Sequence, residues 1–309
     1  MKKLLAMLLV ISVLMSALAG CVVLPDDDSK PIGTKPQGTT ASQDEEGGDS
    51  ADPTDADPTE GEKKDVTIAE TVVYDENNIK LTVKGMEESW SGIDLKVLLE
   101  NNTDENVTFS IDEFVINGIC ISGLGYVEAA AGKKSNDTIS LYDEDLETAG
   151  IKTIATIEGK EGRIINSDSY DKLYDVPFKV VTSAGEDYAQ TVDNSGDVLF
   201  EAEGITVIAK SIQENLLGQS VCLFVENETG KDIVVNAEDV SVNGFTVTTL
   251  MYENVYADTV RFCDLLLLSS ELEENEIETV ENVTFKLEVI DPETYEHIAD
   301  SEELEVIVK

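Results

Sequence analysis

Leu99–Gly118, LENNTDENVTFSIDEFVING, returns later in the same chain as Val225–Gly244, VENETGKDIVVNAEDVSVNG. The two stretches stand at a constant offset of 126 positions, as between Asn101 and Asn227. The same offset matches apolar residues well outside the stretch, among them Ile79 with Ile205, Leu95 with Val221, Leu141 with Leu267, and Phe178 with Leu304. One offset held over this length indicates a tandem duplication of a whole folding unit, and not a short solenoid repeat.

Apolar residues alternate with polar ones through both copies, as half-buried strands require. In the first copy Ile79–Val83 and Ile93–Val97 alternate, and Asn101–Asp104 carries residues that suit a tight reversal. Asn117–Gly118 is expected to form a hairpin turn or a bulge, and Asp143–Gly150 one short helical turn. Roughly seven short strands in about 110 residues per copy predict an antiparallel β-sandwich, repeated once.

The N-terminus predicts export. Lys2 and Lys3 precede an apolar run, Leu4–Ala17, that is short for a bilayer span, and Leu18–Cys21 reads L-A-G-C. This segment resembles the lipobox of bacterial lipoproteins, in which the cysteine becomes the lipidated first residue of the mature chain. The resemblance implies lipidation of Cys21 and an N-terminal membrane anchor. An ordinary signal peptide with a chance cysteine is the alternative.

Residues 22–65 are rich in Asp, Glu, Pro, Gly, Ser and Thr and nearly free of apolar side chains. Such a segment cannot bury enough surface to offset its ordering entropy, so we expect a disordered acidic linker. A calcium loop is disfavoured, because the glycine and glutamate of an EF-hand do not fall in frame. The expected organisation is a lipoprotein signal (1–21), this linker (22–65), and sandwich domains at 66–184 (the first copy) and 195–309 (the second copy).

Three stretches carry a resemblance to a known family: LLENNTDENVTF (Leu98–Phe109), FVING (Phe114–Gly118) and IINSDSYDKLYDVPFKVV (Ile164–Val181). They resemble the tandem immunoglobulin-like domains of lipoproteins from Gram-positive bacteria. The resemblance implies an immunoglobulin-like fold and a location on the cell surface, and it implies no defined activity. The copies depart from antibody-type domains because they lack the Cys…Trp…Cys core signature.

The charge excludes several classes of partner. The chain has 64 acidic and 21 basic residues, a formal net charge of −43. Such a chain repels nucleic acid, whose binding depends on Lys and Arg at the phosphates, and it lacks a polybasic segment for lipid headgroups. The expected partners are the membrane, through the N-terminal lipid, and an extracellular protein or cell-wall ligand.

Three cysteines follow Cys21 in the chain: Cys120, Cys222 and Cys263. An odd number does not indicate a disulfide framework. Cys222 is out of phase with its inward-facing neighbours, whereas Cys263 is in phase with Leu265 and Leu267. We therefore expect free thiols, with a Cys222–Cys263 bridge as the alternative.

The sequence offers little for catalysis. His297 is the only histidine, in an acidic stretch expected to be an exposed loop, and no nucleophile motif accompanies it. Acidic residues cluster after a strand in each copy, and Asp143, Asp145 and Glu147 are weak calcium candidates. Solvated acidic loops are the favoured interpretation, and we expect no catalytic residue, cofactor or metal. A hydrolase that uses carboxylates alone is the remaining enzymatic hypothesis.

Two apolar features stand outside the alternation. Trp90 lies between two strand patterns, where an exposed tryptophan could contact a ligand. Its counterpart Leu216 is also apolar, which favours the alternative that both cap the end of a sandwich core. Leu265–Leu268 is continuously apolar and predicts a strand covered on both faces, by the other domain or by a partner.

These observations predict a lipid-anchored protein on the outer face of the cytoplasmic membrane, extracellular on a bacterial cell. It would act as a non-enzymatic binding or adhesion module. The alternative is a structural spacer or accessory subunit of a membrane-associated assembly, and the carboxylate hydrolase ranks below both.

Overall fold

A computed structural model of the protein describes residues 66–308 and the backbone of the pair Lys30–Pro31. The export signal with Cys21 and the linker 22–65, apart from that pair, lie outside the described residues. Within the described part, no helix is long and apolar enough to cross a membrane.

Strands make up most of both copies, and each copy has one short helix. Before and within the first copy the strands are β1 Lys30–Pro31, β2 Thr71–Glu76, β3 Ile79–Ser89, β4 Gly92–Asn101, β5 Val107–Ile116, β6 Ile119–Ala129, β7 Lys134–Tyr142, β8 Thr156–Lys160, β9 Arg163–Asn166, β10 Lys172–Asp175 and β11 Phe178–Val181, with helix α1 Asp143–Thr148. The second copy has β12 Asp197–Ala202, β13 Ile205–Asn215, β14 Gly218–Asn227, β15 Ile233–Val242, β16 Phe245–Thr246, β17 Thr249–Leu250, β18 Tyr252–Val255, β19 Thr259–Leu268, β20 Asn282–Ile290, β21 His297–Asp300 and β22 Leu304–Ile307, with helix α2 Ser269–Glu274. The predicted all-β sandwich fold is confirmed, and α1 is the expected helical turn.

Alternation explains the strands. In β4, Leu95, Val97 and Leu99 point inward and are almost fully buried, while Asp94 and Lys96, at the alternate positions, are partly exposed on the other face. Complete burial of one such side chain contributes roughly 1.5–3 kcal/mol. Each copy closes its own apolar core in this way, although Val115 and Cys120 of the first copy belong to the core of the second.

The two copies differ in how their two layers are connected, and strand β6 is the cause. In the first copy β6 pairs with β5 along its length and also with β7, so one strand joins both layers into a single sheet. The corresponding segment of the second copy is divided into β16, β17 and β18. There β17 pairs with β19 in one layer, while β16 and β18 pair with β15 in the other, so the two layers remain separate sheets.

The repeated Asn-x-Thr step is a buried hydrogen-bonding unit. The Asn101 side chain donates from Nδ2 to the carbonyl oxygens of Glu105 (2.7 Å) and Ala129 (3.0 Å), and its Oδ1 accepts from Thr103. Asn227 makes the corresponding bonds in the second copy: Nδ2 donates to Lys231 O (2.8 Å) and Val255 O (2.8 Å), and Thr229 donates to Oδ1. These bonds satisfy backbone groups that would otherwise be buried without partners.

The asparagine of the repeated Asn-Gly step also binds backbone groups through its side chain in both copies. Asn117 Oδ1 accepts from the backbone N–H groups of Ala155 and Thr156, and Asn243 Oδ1 accepts from Glu281 and Asn282. Each asparagine lies in a hairpin turn with positive φ, as the sequence predicts. The repeated stretches are therefore scaffold.

Asn101→Ala should lower the free energy of unfolding by about 2 kcal/mol or more, because it leaves several buried backbone groups without partners. Urea denaturation measures the loss. Asn102→Ala is the matched control, because Asn102 is exposed, and its effect should stay within about 0.5 kcal/mol. Equal effects of the two substitutions would contradict the assignment.

Candidate functional site

The β3–β4 and β13–β14 turns project large apolar side chains into solvent. Trp90 is 97% exposed and Leu216 is 88% exposed. Behind each turn a glycine packs against the neighbouring strand: a Cβ on Gly92 or Gly218 would meet the carbonyl oxygen of Leu141 or Leu267 at about 2 Å. The turns are thus held firmly at their base while their tips remain free.

The prediction that Trp90 and Leu216 cap the core is wrong. Both occupy the turn beyond the last paired residues of their hairpins, Ser89 with Gly92 and Asn215 with Gly218. Side chains at those positions extend past the end of the sandwich. A role for Trp90 in ligand contact stays a prediction.

The acidic helices each use one carboxylate to accept a backbone hydrogen bond from a neighbouring segment. Asp145 Oδ2 accepts from the backbone N–H of Ser122 at 3.0 Å, and Glu271 Oε2 accepts from Thr248 at 3.3 Å, the equivalent bond in the second copy. Asp143 and Glu147 point into solvent. The three calcium candidates do not converge, and in the described part of the chain no three His, Cys, Asp or Glu side chains are placed to hold a metal ion.

Burial raises the pKa of Asp145 to about 7, against the opposing effects of the Ser122 N–H and of Arg261. Glu144 and Glu113 add to the rise because their negative charges lie near. This carboxyl group therefore gains a proton close to neutral pH while the protein stays folded.

The two copies meet around one buried arginine. Arg261 of β19 is 6% exposed. Its Nη1 lies 2.7 Å from Glu113 Oε2 of the first copy, and its Nε lies 2.8 Å from Glu253 Oε2 of the second. Its Nη2 also donates to Ser122 Oγ at 3.3 Å. Burial would lower the pKa of Arg261, but Glu253 and Glu113 outweigh it, so the guanidinium keeps its charge.

The backbone continues this junction. Val260 and Arg261 of β19 pair in parallel with Ile119 and Cys120 of β6, so one sheet runs from the first copy into the second. At the positions equivalent to Arg261 and Glu253, the first copy has Ser135 and Val127. The junction is built where the copies diverge. The repeat pattern does not predict this junction, although Arg261, one of only two arginines in the chain, stands out among apolar neighbours in the sequence.

The outer face of the β14–β19 layer is buried over its middle part and half-exposed at one end. Cys222, Phe224 and Asp264 are each at most 6% exposed, and Phe262 packs against the core of the first copy. In Leu265–Leu268, Leu265 and Leu267 are fully buried and face the core, while Leu266 and Leu268 are half-buried on the outer face. The first copy packs against this face at Phe262.

Within the described residues, Cys120, Cys222 and Cys263 form no disulfide, as the sequence predicts, and all three side chains are buried. Cys120 Sγ lies 3.1 Å from Thr259 Oγ1, a contact across the junction, and Cys222 Sγ lies 3.5 Å from Asp264 Oδ1. Burial raises the pKa of Cys120 and of Cys263, which keeps both thiols protonated and unreactive.

His297 is exposed, as predicted, but begins the short strand β21 instead of lying in a loop. Its Nδ1 lies 3.0 Å from Asp300 Oδ1 and its Nε2 lies 3.1 Å from Glu288 Oε1. The hydrogen bond to Asp300 raises the pKa of His297. Since both ring nitrogens face carboxylates, this imidazole is not arranged to activate a serine or cysteine.

No family model matches the chain, and no curated protein matches it. Among solved structures, the chain is similar to one described as the crystal structure of the conserved domain protein from Bacillus anthracis. The identity is 12%, the similarity covers 81% of this chain and 94% of that chain, and the TM-score is 0.26. A similarity at this level carries no information on ligand or activity.

Arg261→Ala should cost about 3–5 kcal/mol of unfolding free energy, because it leaves Glu113 and Glu253 buried without a counter-charge. Lys286→Ala is the control: Lys286 pairs with Asp239 at 2.7 Å on the surface, and such pairs contribute less than about 1 kcal/mol. Urea denaturation distinguishes the two. A small loss for Arg261→Ala would show that the junction does not depend on this charge.

Asp145→Asn should reduce the pH dependence of stability. The folded pKa of about 7 lies above the ordinary value of 3.8, so between these values the folded state binds a proton that the unfolded state does not. Stability therefore falls as pH rises from about 5 to about 7.5, and urea denaturation at both ends should show a smaller fall in Asp145→Asn. The exposed acid Glu147 supplies the control, Glu147→Gln, which should keep the wild-type slope; an unchanged slope in Asp145→Asn would refute the assignment.

Proposed function

We propose that the protein is a lipid-anchored, non-enzymatic binding module on the outer face of a Gram-positive-type cytoplasmic membrane. Its tandem sandwiches would be immunoglobulin-like, anchored through Cys21, and its partner an extracellular protein or a cell-wall ligand. The observation that carries the proposal is the exposure of Trp90 and Leu216 at the same turn of both copies. Neither side chain serves the core, whereas tryptophan is enriched among residues that dominate binding energy.

The chemistry of the polar groups favours binding over catalysis. The carboxylates of Asp145 and Glu271 accept backbone hydrogen bonds, those of Glu113 and Glu253 pair with Arg261, and His297 lies between two acids. Each of these groups has a structural partner, so none is left as an obvious acid or base for a substrate.

The anchor is tested with Cys21→Ser. In a bacterial expression host the wild type should take up a palmitate label and sediment with membranes, and Cys21→Ser should lose both properties, because only the cysteine can be acylated. Identical labelling and sedimentation of the two proteins would reject the anchor.

Binding is tested with Trp90→Ser against purified peptidoglycan and a panel of secreted bacterial proteins. Affinity for the true partner should fall about tenfold or more, since a tryptophan at a binding hot spot contributes on the order of 2 kcal/mol. Val72→Ser, which changes an exposed apolar residue on a strand, is the control and should bind like the wild type. Equal binding of both variants would remove Trp90 from the site.

A spacer or accessory subunit is the second candidate, and the junction favours it. Because Arg261 and the β6–β19 pairing join the copies, the two copies together form one body of fixed length. Deleting the second copy should then abolish assembly while Trp90→Ser leaves it intact. The reverse result supports the binding module.

A further inference from the structure

Five leucines gather at one end of the second copy, at the start of β14 and the end of β19. They form what we call the leucine patch: Leu216, Leu217, Leu250, Leu266 and Leu268. Leu216, Leu217 and Leu250 are exposed, and Leu266 and Leu268 are half-buried, within the part of the chain that the structure describes.

Strand register places these side chains together. Leu250 of β17 lies directly opposite Leu266 of β19, so the two share a face. Leu268, two residues further, lies on that face too and is paired with Gly218, which has no side chain to cover it. Leu216 and Leu217 form the turn before Gly218, and Leu217 O accepts from the Ser269 N–H at 2.9 Å.

Residues other than these leucines fill the core and close the turn. Leu265 and Leu267 fill the core from the same strand, and the turn is closed by Asn215, whose Oδ1 accepts from the N–H groups of Leu217 and Gly218. Turns favour Gly, Asn, Asp and Ser, and adjacent leucines in a two-residue turn place apolar surface in water at a cost.

The first copy shows that the scaffold forms without the patch. It has large apolar or aromatic residues at three equivalent positions, Trp90, Leu124 and Tyr142, but has Ser91 and Ser140 where the second copy has Leu217 and Leu266. The apolar surface is thus enlarged in the second copy alone. Contiguous apolar surface of this kind marks an interaction site.

The surroundings of the patch are acidic. Glu214 precedes the turn, and Glu273 and Glu274 of α2 follow Leu268, all exposed. Within the segments that build the patch, 211–220 and 245–276, the single basic side chain is Arg261, which is buried at the junction. A complementary partner therefore presents aliphatic side chains flanked by positive charge.

We propose that the leucine patch docks a protein segment with an aliphatic face bordered by Lys and Arg. This inference rests on the proposed binding function and assigns it a surface. A second copy of the chain would bring like acidic borders together, and an anionic bilayer would be repelled by a chain of net charge −43. Charge complementarity selects a basic, amphipathic protein segment over both.

The test uses the full chain with Cys21→Ser and a synthetic peptide of about 18 residues, leucine on one helical face and lysine on the other. A peptide of equal charge with serine for leucine measures attraction by charge alone. In calorimetry the leucine peptide should bind at least about tenfold tighter than the serine peptide. Leu216→Ser/Leu250→Ser should abolish that difference, and a pair of exposed apolar residues in the first copy, Val72→Ser/Leu124→Ser, should keep it.

Four results would overturn the inference: equal binding of the two peptides, a difference that survives in Leu216→Ser/Leu250→Ser, self-association through the patch in sedimentation, or sedimentation with phosphatidylglycerol–phosphatidylcholine vesicles that the Leu216→Ser/Leu250→Ser variant loses. Circular dichroism and urea denaturation verify that both double variants fold. The proposed function fails separately, when neither peptidoglycan nor any secreted protein of the panel binds the wild type. A wild type that binds one of these normally but shows no preference for the leucine peptide overturns the leucine patch alone.

Discussion

A buried guanidinium has to keep its counter-charges, and this requirement governs the arrangement of the two copies. Arg261 takes one carboxylate from each copy, Glu113 at 2.7 Å and Glu253 at 2.8 Å. Rotating one copy against the other would separate a charge pair in a low-dielectric interior, which is far costlier than breaking a surface pair. The parallel pairing of β6 with β19 adds backbone hydrogen bonds to the same junction. The copies therefore behave as one body with fixed spacing between their hairpin tips.

Much of the fold was predictable because its determinants are periodic. The side-chain phase of residues such as Leu95, Val97 and Leu99 is set by which face of the strand is buried, so alternation in the sequence reports strands directly. The duplication was also visible in the sequence, because the same buried positions recur at one constant offset in both copies. Asn101 and Asn117 recur because each closes the same loop in both copies, and turn chemistry is legible from single residues.

The junction and the exposed surfaces were harder to predict from the sequence, because they depend on residues that are far apart in the chain. Nothing near Arg261 in sequence indicates Glu113, which lies 148 positions away. Apolar residues at the equivalent turns of both copies predict that Trp90 and Leu216 are buried. The hairpin geometry instead places both side chains beyond the core. The continuous apolar run Leu265–Leu268 predicts a strand covered on both faces. It does not predict that one end of the outer face is only half-buried.

The contrast between β6 and its divided counterpart gives the copies different resistance to local opening. In the first copy, separating the two layers would break main-chain hydrogen bonds along β6. In the second, the layers meet through side chains, so they can part while both ladders stay intact. Cooperative units in proteins follow such boundaries, and amide protons are protected accordingly. The second copy, which carries the leucine patch, should therefore open locally more easily than the first copy. Its amide protons should exchange faster for the same reason.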